Sequence, residues 1–347
     1  MKTIHFSILA AVLLSVLLSA EDVWEKSIRL REGVQYIHLF PEVPRKTALT
    51  PEKVSEMREK FIKTATEKKF DLSFVNAIKA DVRPMKIYAM RIDLKLQGLA
   101  FTGTGRADGW GKPMPAAPDQ AIRTYRITTA DFMKGCRELR RLNMIVATNS
   151  GPWSPWPPPK GDTRHANPAG ISISDGVVVS DNGFFAYAYF VVYKDGTVNI
   201  IDHIDREKYD DFQLVTSGFG IVMKEGKTTP QTTAGYDEGL MPRLSLGLDK
   251  ERRYLYIVAV DGRQPGWSEG ATGTDLFNIF TRLGAYDVID MDGGGSATMC
   301  FWDERQNAPR IFNMHDYNRR YYRPVGMNLG IYLKPMMTTK DTKDAKD

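Results

Sequence analysis

The sequence predicts an α+β fold, in which a mixed or antiparallel β-sheet core packs against helices in a single catalytic domain with an N-terminal extension. Three observations support this prediction. Segments with strand periodicity outnumber those with helical periodicity along the 347 residues. A strong hairpin turn at residues 194–197, with the sequence Lys-Asp-Gly-Thr, joins two of the strand segments. Hydrophobic residues make up 42% of the chain, which is enough to bury a large core.

The N-terminal part of the chain is predicted to contain a strand, a helix and a second strand. Residues 33–40 alternate between apolar and polar side chains, as in a half-buried strand. Residues 51–69 carry apolar side chains at helical spacing, and Thr50 supplies an N-cap before a proline at the first helical position. Residues 86–96 alternate again as a strand, whereas residues 103–118 are rich in glycine and proline and are predicted to form a long irregular loop.

The middle of the chain is predicted to be mostly strand. A helix over residues 130–142, with Thr129 as its candidate N-cap, leads into a strand over residues 144–148. Further strands are predicted from short apolar runs at residues 170–174, 186–193, 198–201, 218–223, 253–260 and 286–289.

The last predicted helix covers residues 275–283, where four apolar side chains form one stripe. Thr274 is its candidate N-cap, and Gly284 is expected to end it, because glycine adopts the left-handed conformation that closes a helix. The helix is therefore expected to bury one face against the sheet.

The chain divides into four predicted parts. Residues 1–20 resemble a signal peptide, with an apolar run too short to span a bilayer and Ser19-Ala20 as a small-residue cleavage site. Residues 21–143 are expected to form an N-terminal α/β extension packed on the core, residues 144–335 the catalytic domain, and residues 336–347 a disordered tail. We therefore expect a secreted or periplasmic protein with no stable membrane insertion after cleavage. An uncleaved membrane anchor is the alternative.

Charge and cysteine content exclude several classes of partner. The formal net charge is +5, but the lysines and arginines are scattered and do not form the clustered stripe typical of a nucleic-acid-binding protein. Cys136 and Cys300 have no zinc-ligand spacing, and nothing in the sequence predicts a metal or another cofactor. An oxidising compartment would allow one disulfide between them, but we favour separate packing as small apolar side chains.

The most informative segment is residues 290–298, with the sequence Asp-Met-Asp-Gly-Gly-Gly-Ser-Ala-Thr. It follows an apolar strand, and because side chains alternate along a strand, Asp290 and Asp292 should share one face about 6.5 Å apart. The three glycines allow a tight turn whose amide N–H groups can bind an anion. Carboxylates beside an anion-binding loop indicate a catalytic site. A strand and turn with an N-cap aspartate is the alternative.

Arg243 is a candidate anion-binding residue. In a strand over residues 242–248, Arg243, Ser245 and Gly247 share one face and the leucines share the other. A guanidinium forks onto a phosphate through two parallel hydrogen bonds, which lysine cannot reproduce. From the residues alone, a phosphate contact and a surface salt bridge are equally compatible with this position.

Other polar and aromatic residues are placed at strand ends or in loops. Asp261 ends an apolar strand, so its carboxylate is expected to emerge there as a nucleophile, a general base or an acceptor from a sugar hydroxyl; a simple turn aspartate is the alternative. Asn149 lies on a turn and is expected to orient a ligand or a loop. Trp153 and Trp156 lie in a proline-rich loop, where they stack on a sugar ring or pack against the prolines.

Five blocks of the chain, in register, resemble the phosphodiester glycosidase family. Residues 292–298 resemble its DGGGSAT signature. The other blocks are 149–153 (an N-G/A-G-F-F turn), 242–247 (P-R-T-A-I-G), 260–263 (V-D-G-R/Q) and 323–325 (R-P-V). Each block is weak alone, but their common order makes the resemblance specific over about residues 146–333.

This resemblance implies an enzyme that hydrolyses the glycosidic C–O bond of a sugar-1-phosphodiester or phosphoglycan and releases a free sugar and a phosphomonoester. An N-acetylglucosamine-type sugar is the implied substrate group. The implied catalytic residues are Asp292, Asp261 and Arg243. Substrate contacts are implied for nine further residues: Asn149, Gly151, Arg263, Asp290, Gly293, Gly294, Gly295, Ser296 and Arg323.

The leaving group shapes the expected mechanism. A phosphate monoester leaves as a stable anion, so it needs less protonation than the sugar alkoxide of an ordinary glycoside. It needs positive charge and N–H donors where negative charge develops, and Arg243 and the glycine amides would supply them. Asp292 or Asp261 would then attack the anomeric carbon or activate water, and the choice between retention and inversion stays open.

The sequence departs from the family pattern in two places. Asp290 stands where the resembling enzymes usually carry asparagine, so a second carboxylate should raise one of the paired pKa values unless a cation lies between them. Pro152-Trp153 replaces Phe-Phe at the end of the turn, which changes the expected shape of the sugar pocket.

Two other functions compete with this interpretation. The pair Asp290 and Asp292 would suit a divalent cation in a metal-dependent phosphodiesterase that acts at phosphorus. A non-catalytic binder of anionic glycans is the third hypothesis, but Arg243, Asp261 and Asp292 are all present, which favours an enzyme.

Overall fold

The computed structural model describes residues 19–157, 160–161, 164–183, 188–230, 239–314, 317 and 322–335. The predicted signal peptide lies outside the described residues except for Ser19 and Ala20, and the predicted tail lies wholly outside them. Ser19 caps a short helix that begins at Ala20. Among the described helices, none has both the length and the apolar character that a membrane crossing requires.

Strands predominate over helices in these ranges. The helices are α1 (Ala20–Glu25), α2 (Pro51–Lys68), α3 (Thr129–Glu138) and α4 (Gly273–Leu283), with 3₁₀ helices at Leu72–Ala77, Arg206–Asp211 and Gly294–Ser296. The first strands are β1 (Ile28–Arg31), β2 (Val34–Leu39), β3 (Glu42–Pro44), β4 (Val82–Pro84), β5 (Ile87–Asp93), β6 (Leu99–Gly103), β7 (Pro113–Met114), β8 (Ala117–Ala121), β9 (Thr124–Tyr125), β10 (Asn143–Asn149), β11 (Trp153–Ser154) and β12 (His165–Pro168). The remaining strands are β13 (Gly170–Ser174), β14 (Val177–Asn182), β15 (Ala188–Tyr193), β16 (Val198–Ile201), β17 (Phe212–Gly218), β18 (Gly220–Lys224), β19 (Lys227–Thr228), β20 (Arg243–Leu248), β21 (Tyr254–Val260), β22 (Asp287–Asp290), β23 (Met299–Asp303), β24 (Ala308–Ile311) and β25 (Asn328–Leu333).

Four antiparallel sheets position the site. The central sheet has the order β1-β2-β5-β21-β20-β22-β18-β19, the second sheet β24-β23-β10-β25-β6, and the third sheet β14-β13-β17-β15-β16. A small sheet, β11-β12-β9, carries the loop tryptophans. This architecture confirms the predicted α+β class with an antiparallel core.

The N-terminal segment differs from the packed extension that the sequence predicts. β5 pairs with β21 along its whole length, from Ile87 opposite Val260 to Asp93 opposite Tyr254. β6 pairs in the same way with β25 of the second sheet. The segment therefore supplies strands to two sheets of the core. The local pattern of residues 86–96 indicates a strand but carries no information about its distant partner.

One large apolar core joins the central, second and third sheets. Leu246 of the central sheet, Phe101 of the second and Phe190 of the third belong to the same buried cluster. The opposite face of the central sheet is covered by α4. α1 packs on α4, where the indole N–H of Trp24 donates to the Leu283 carbonyl at 3.0 Å. The central sheet is thus covered on both faces.

The helices α2, α3 and α4 form where the sequence predicts them, with shifts at two caps, whereas α1 was not predicted and α3 ends at Glu138, earlier than the predicted residue 142. Thr50 caps α2, as expected. α4 begins two residues earlier than predicted, because Thr272 and Asp275 form a reciprocal capping box that places Thr274 inside the helix. α3 is likewise capped by Thr128 and not by Thr129. Gly284 ends α4 with a φ of 91°, as predicted.

Other differences concern strands and cysteines. Residues 103–118, predicted as a loop, contain β7 and the start of β8, and several strands were not predicted, among them β1, β6, β14, β17 and β25. Residues 186–187 of one predicted strand lie outside the described residues. Cys136 and Cys300 are both free and buried, and they lie in one cluster beneath α3, so the favoured prediction of unpaired cysteines is confirmed.

Gly247→Ala should destabilise the protein, because a Cβ at this position would lie 2.7 Å from the buried ring of Phe280 on α4. We expect a loss of about 1–3 kcal/mol in the free energy of unfolding, measured by chemical denaturation. Gly135→Ala is the control, because an added Cβ there would meet nothing within 4 Å inside α3. It should stabilise by about 0.5–1 kcal/mol. An unchanged stability for Gly247→Ala would contradict the packing of α4 on β20.

Candidate active site

A cleft of about 830 Å³ opens where β20 begins and β22 ends. It contains many of the residues singled out from the sequence. The lining includes Arg243, Arg263, Asp290, Asp292, Gly293, Gly294, Gly295, Ser296 and Arg323 from that set, together with Trp153 and Trp156. Asp290, Met291 and Asp292 all contribute to the cleft lining, and Met291 also packs in the main core. β22 ends at Asp290, so Asp292 lies just beyond the strand.

The side chain of Asn149 holds the glycine turn through two hydrogen bonds. Its side-chain amide donates to the Asp292 carbonyl at 2.5 Å, and its side-chain oxygen accepts from the Thr298 amide at 2.9 Å. Asn149, the last residue of β10, therefore holds both ends of the glycine turn. It is buried and does not line the cleft, so the structure gives it the loop-orienting role and not the ligand contact.

The three glycine amides are not equivalent. Gly294, with a φ of 57°, donates its N–H to the Pro242 carbonyl at 2.9 Å, so the expectation that this amide faces an anion is wrong. The N–H groups of Gly293 and Gly295 find no acceptor among the residues that the structure describes, and both glycines line the cleft. Two amides are therefore available for an oxyanion.

Asp292 has the ionisation properties of a catalytic carboxyl group. Burial raises its pKa to about 7, against hydrogen bonds from Ser296 and Trp153 and the charge of Arg323, all of which lower it. The nearby carboxylate of Asp290 also raises it, which agrees with the expectation from the pair. A carboxyl that titrates near neutral pH can exchange a proton or act as a nucleophile under ordinary conditions.

Asp290 is neutralised by Arg243. The guanidinium of Arg243 donates to the Asp290 carboxylate at 3.0 Å, and the hydroxyl of Ser245 donates to its second oxygen at 2.8 Å. Burial raises the pKa of Asp290, whereas Arg243 and Ser245 lower it. Arg243 also donates to the Ala271 carbonyl at 3.2 Å and is almost fully buried. Of the two alternatives for this arginine, the structure shows an ion pair, but a buried one within the cleft wall.

Two other guanidinium groups flank the glycine turn. A Cβ at Gly295 would lie 2.5 Å from Nη2 of Arg323, and a Cβ at Gly294 would lie 3.5 Å from Nη1 of Arg263. Arg323 also donates to Ser296 at 3.5 Å, and its guanidinium lies 4.0 Å from the centre of the Trp156 ring. The turn is thus a positively charged part of the cleft, and glycine at residue 295 leaves room for Arg323.

Asp261 does not emerge into the cleft, contrary to the expectation from its position at a strand end. Its buried carboxylate accepts hydrogen bonds from Tyr88 Oη at 3.0 Å, Trp267 Nε1 at 2.8 Å and the Met314 amide at 2.8 Å. Burial raises its pKa to about 6, although these hydrogen bonds lower it. Asp261 therefore joins the segments that carry Tyr88, Trp267 and Met314. The sequence contains no signal for these partners.

Gly151 also lies outside the cleft lining. A Cβ there would lie 2.9 Å from Oγ of Ser217, so the glycine permits close packing of β10 against the third sheet. Sequence reasoning missed Gln120, which lines the cleft and accepts a hydrogen bond from Ser154 at 2.7 Å. Gln120 lies on β8, within a segment that has no motif, so no local signal could have identified it.

The donor set for a metal ion is limited. Within the described ranges, no three His, Cys, Asp or Glu side chains lie together in an arrangement that could hold a metal ion. In the cleft, the carboxylate of Asp290 is already engaged by Arg243 and Ser245.

Comparison of the chain with known proteins identifies a family and a relative. The phosphodiester glycosidase family model matches residues 145–332, more than half of the 347 residues. The SPbeta prophage-derived protein YomE of Bacillus subtilis is 29% identical over 170 residues, which is 46% of this chain and only 24% of that relative. This chain therefore matches about a quarter of the length of that relative.

A solved structure from zebrafish has a similar fold. It is the catalytic domain of N-acetylglucosamine-1-phosphodiester alpha-N-acetylglucosaminidase, auto-inhibited by its pro-peptide. The match has a TM-score of 0.55 at 16% identity and covers 89% of this chain and 85% of that chain. At this identity the comparison shows a shared fold.

Arg243→Met should destabilise the protein by about 3–5 kcal/mol, because it leaves the buried carboxylate of Asp290 without its counter-charge. Chemical denaturation measures this loss. The double variant Arg243→Met/Asp290→Asn should be more stable than Arg243→Met alone, because the uncompensated charge is also removed. Additive losses in the double variant would show that the two side chains are not coupled.

Asp292→Asn should raise the melting temperature at pH 8. The pKa of Asp292 is about 7 in the folded protein and about 4 in an unfolded chain, so the folded state binds this proton more tightly. The resulting stabilisation is complete below about pH 4 and is lost as the pH rises through 7. The variant cannot ionise, so its advantage over the wild type should appear between about pH 4 and pH 8 in thermal scans. A difference that does not change with pH would contradict the raised pKa.

Proposed function

Because the chain belongs to the phosphodiester glycosidase family, we propose that it hydrolyses the glycosidic C–O bond of a sugar-1-phosphodiester and releases a free sugar and a phosphomonoester. One observation carries this proposal. A carboxyl group with a pKa of about 7, that of Asp292, lies in the same cleft as a glycine turn flanked by two guanidinium groups. The first group suits attack at a sugar carbon, and the second suits an anionic leaving group.

In this mechanism the ionised carboxylate of Asp292 acts at the anomeric carbon. It either attacks that carbon directly or removes a proton from the water that does so. The bond between the anomeric carbon and the phosphate oxygen breaks, and its electron pair leaves with the phosphomonoester. Both routes require Asp292 without its proton, and in both the hydroxyl group of water ends on the sugar.

The phosphate would bind at the glycine turn. The amides of Gly293 and Gly295 and the guanidinium groups of Arg323 and Arg263 offer N–H donors from several directions. These groups stabilise the negative charge that develops on the leaving oxygen, so a second carboxylic acid is not required. Arg243 contributes indirectly, because its guanidinium supplies the counter-charge of Asp290 in the cleft wall and leaves Asp292 to face the substrate.

The type of sugar and the cellular location are inferred from sequence motifs. An N-acetylglucosamine-type sugar is proposed from the motifs at residues 149–153 and 292–298, and Trp153, which donates a hydrogen bond to Asp292, would border the sugar. The signal-like sequence of residues 1–20 supports a secreted or periplasmic enzyme.

The other two hypotheses find less support. A metal-dependent phosphodiesterase would use the carboxylates of Asp290 and Asp292 together, but Asp290 is already paired with Arg243. A pure glycan binder would not need a carboxyl group with a pKa of about 7 inside the cleft.

The proposal is tested by incubating the protein with a methyl N-acetylglucosamine phosphodiester, with and without EDTA, and identifying the products by mass spectrometry. We expect free N-acetylglucosamine and methyl phosphate in equal amounts in both incubations. N-acetylglucosamine 1-phosphate with methanol, or loss of turnover in EDTA, would support attack at phosphorus instead.

Asp292→Asn should lower kcat by at least about 100-fold, because it removes the group that attacks or deprotonates. In the wild type, kcat/KM should fall about tenfold per pH unit below about pH 7, since protonation of Asp292 removes the active form. Steady-state kinetics between pH 5 and pH 9 measure both effects. Asp303→Asn, a carboxyl change at the end of β23 outside the cleft lining, is the control and should leave both values unchanged. A profile that is flat through pH 7 would remove Asp292 from this role.

A further inference from the structure

Four arginines lie together beside the cleft, on chain segments that the proposed reaction does not use. They are Arg106, Arg123, Arg126 and Arg164, and we call them the arginine strip. Backbone hydrogen bonds hold the segments side by side: the amide of Ala107 donates to the Arg123 carbonyl at 3.0 Å, and that of Arg126 donates to the Arg164 carbonyl at 2.7 Å. The strip is therefore fixed by the fold.

Aromatic rings support each guanidinium of the strip. Arg106 and Arg123 lie over the two-ring surface of Trp110, with their central carbons 3.7 and 4.6 Å from the ring centre. Arg164 lies 5.3 Å from the centre of Tyr125. A guanidinium held over an aromatic ring has fewer rotamers, and its planar N–H donors remain suited to an oxyanion. The supported arginines are thus pre-ordered for anions.

The strip concentrates positive charge beside the cleft. Among the described residues, the carboxylate of Asp181 is 3.9 Å from Arg123, and Asp108 accepts a hydrogen bond from Tyr125 at 3.0 Å. Four guanidinium groups are thus grouped on one surface, and a guanidinium is complementary to the oxygen atoms of a phosphate.

The strip is continuous with the active-site cleft. Arg126 lies 5.3 Å from the ring centre of Trp153, and Trp153 lines the cleft and donates a hydrogen bond to Asp292. β12 connects the two surfaces, because it pairs with β9 of the strip on one side and with β11 of the cleft wall on the other. Positive charge thus extends from the glycine turn past Trp153 onto the small sheet.

A substrate with a single phosphodiester would occupy the glycine turn and leave this extension unused. We propose that the arginine strip binds further phosphate groups of the substrate, which is a polymer of sugars joined by phosphodiester bonds. This inference rests on the proposed function and names the class of its substrate. Several phosphates along one chain would contact the cleft and the strip at the same time, and association would gain from each added contact.

The same arrangement argues against a nucleic acid in this position. Proteins that bind single-stranded nucleic acids stack bases on open aromatic faces. On the strip, two guanidinium groups lie over Trp110 and one lies over Tyr125. The indole N–H of Trp110 is also used, because it donates to the Val179 carbonyl at 2.8 Å. The strip offers charge without stacking surfaces for bases, which suits a phosphate-linked glycan.

Binding of a polymer tests the inference without depending on turnover. The probe is a homopolymer of phosphodiester-linked N-acetylglucosamine 1-phosphate, titrated calorimetrically into Asp292→Asn protein at several salt concentrations. Adding Arg123→Gln/Arg164→Gln should weaken binding about tenfold at low salt and reduce the slope of log K against log salt by about 1. The control pair is Arg305→Gln/Arg310→Gln, which removes the same charge from exposed sites around β24, where Arg310 lies 5.4 Å from Phe312. It should change neither value.

Three results would overturn the inference. One is an equal loss of affinity in the control pair, and another is no loss in either pair. The third is binding of an oligothymidylate of equal charge as tightly as the glycan. Melting temperatures confirm that each variant is folded. If a variant is not, the salt slopes of wild-type binding to the polymer and to a single repeat unit decide, since equal slopes exclude contacts beyond the cleft.

Turnover separates failure of the inference from failure of the proposed function. With the active protein, Arg123→Gln/Arg164→Gln should raise KM for the polymer about tenfold and leave kcat/KM for the methyl phosphodiester unchanged. Equal effects on both substrates would contradict the strip as a polymer site. Absence of wild-type turnover with either substrate would contradict the proposed function. The binding titration would still test whether the arginine strip binds the polymer.

Discussion

The buried ion pair between Arg243 and Asp290 is the contact on which the rest of the site depends. It joins β20 to β22 at the level of the cleft, and the hydroxyl of Ser245 completes the coordination of the carboxylate. A buried carboxylate without such partners would be costly. The pair engages Asp290, whereas the carboxyl group of Asp292 lies at the edge of a turn held by Asn149. The proposed division of the two carboxylates into a structural and a reactive one rests on this contact.

Burial raises the pKa of all three aspartates of this region, but the groups that oppose it differ. At Asp290 a guanidinium opposes it, and at Asp261 three hydrogen-bond donors that fix surrounding segments do so. At Asp292 the opposing groups are Ser296, Arg323 and Trp153, and the pKa reaches about 7. The same removal from water that destabilises the ionised group makes it more basic. The loss of folding stability therefore arises at the residue that the proposed reaction uses, which agrees with the general tendency of active sites to reduce stability.

Much of this arrangement is readable from the sequence, and the rest is not for a physical reason. Thr50, Gly284 and the apolar run before Asp290 are local signals, and the structure confirms the elements they predict. The pairing of Arg243 with Asp290 depends on the register of two strands 47 residues apart in the chain. The partners of Asp261 likewise come from distant segments, and Gln120 reaches the cleft from β8.

The position of bond cleavage is the central claim, and hydrolysis in water enriched in ¹⁸O tests it most directly. A methyl N-acetylglucosamine phosphodiester is hydrolysed under single-turnover conditions. The masses of the two products are measured by mass spectrometry before the label can exchange at the sugar. Attack at the anomeric carbon predicts ¹⁸O in the released sugar and unlabelled methyl phosphate. Label in the phosphate product would show attack at phosphorus and would contradict the role given to Asp292 and the glycine turn.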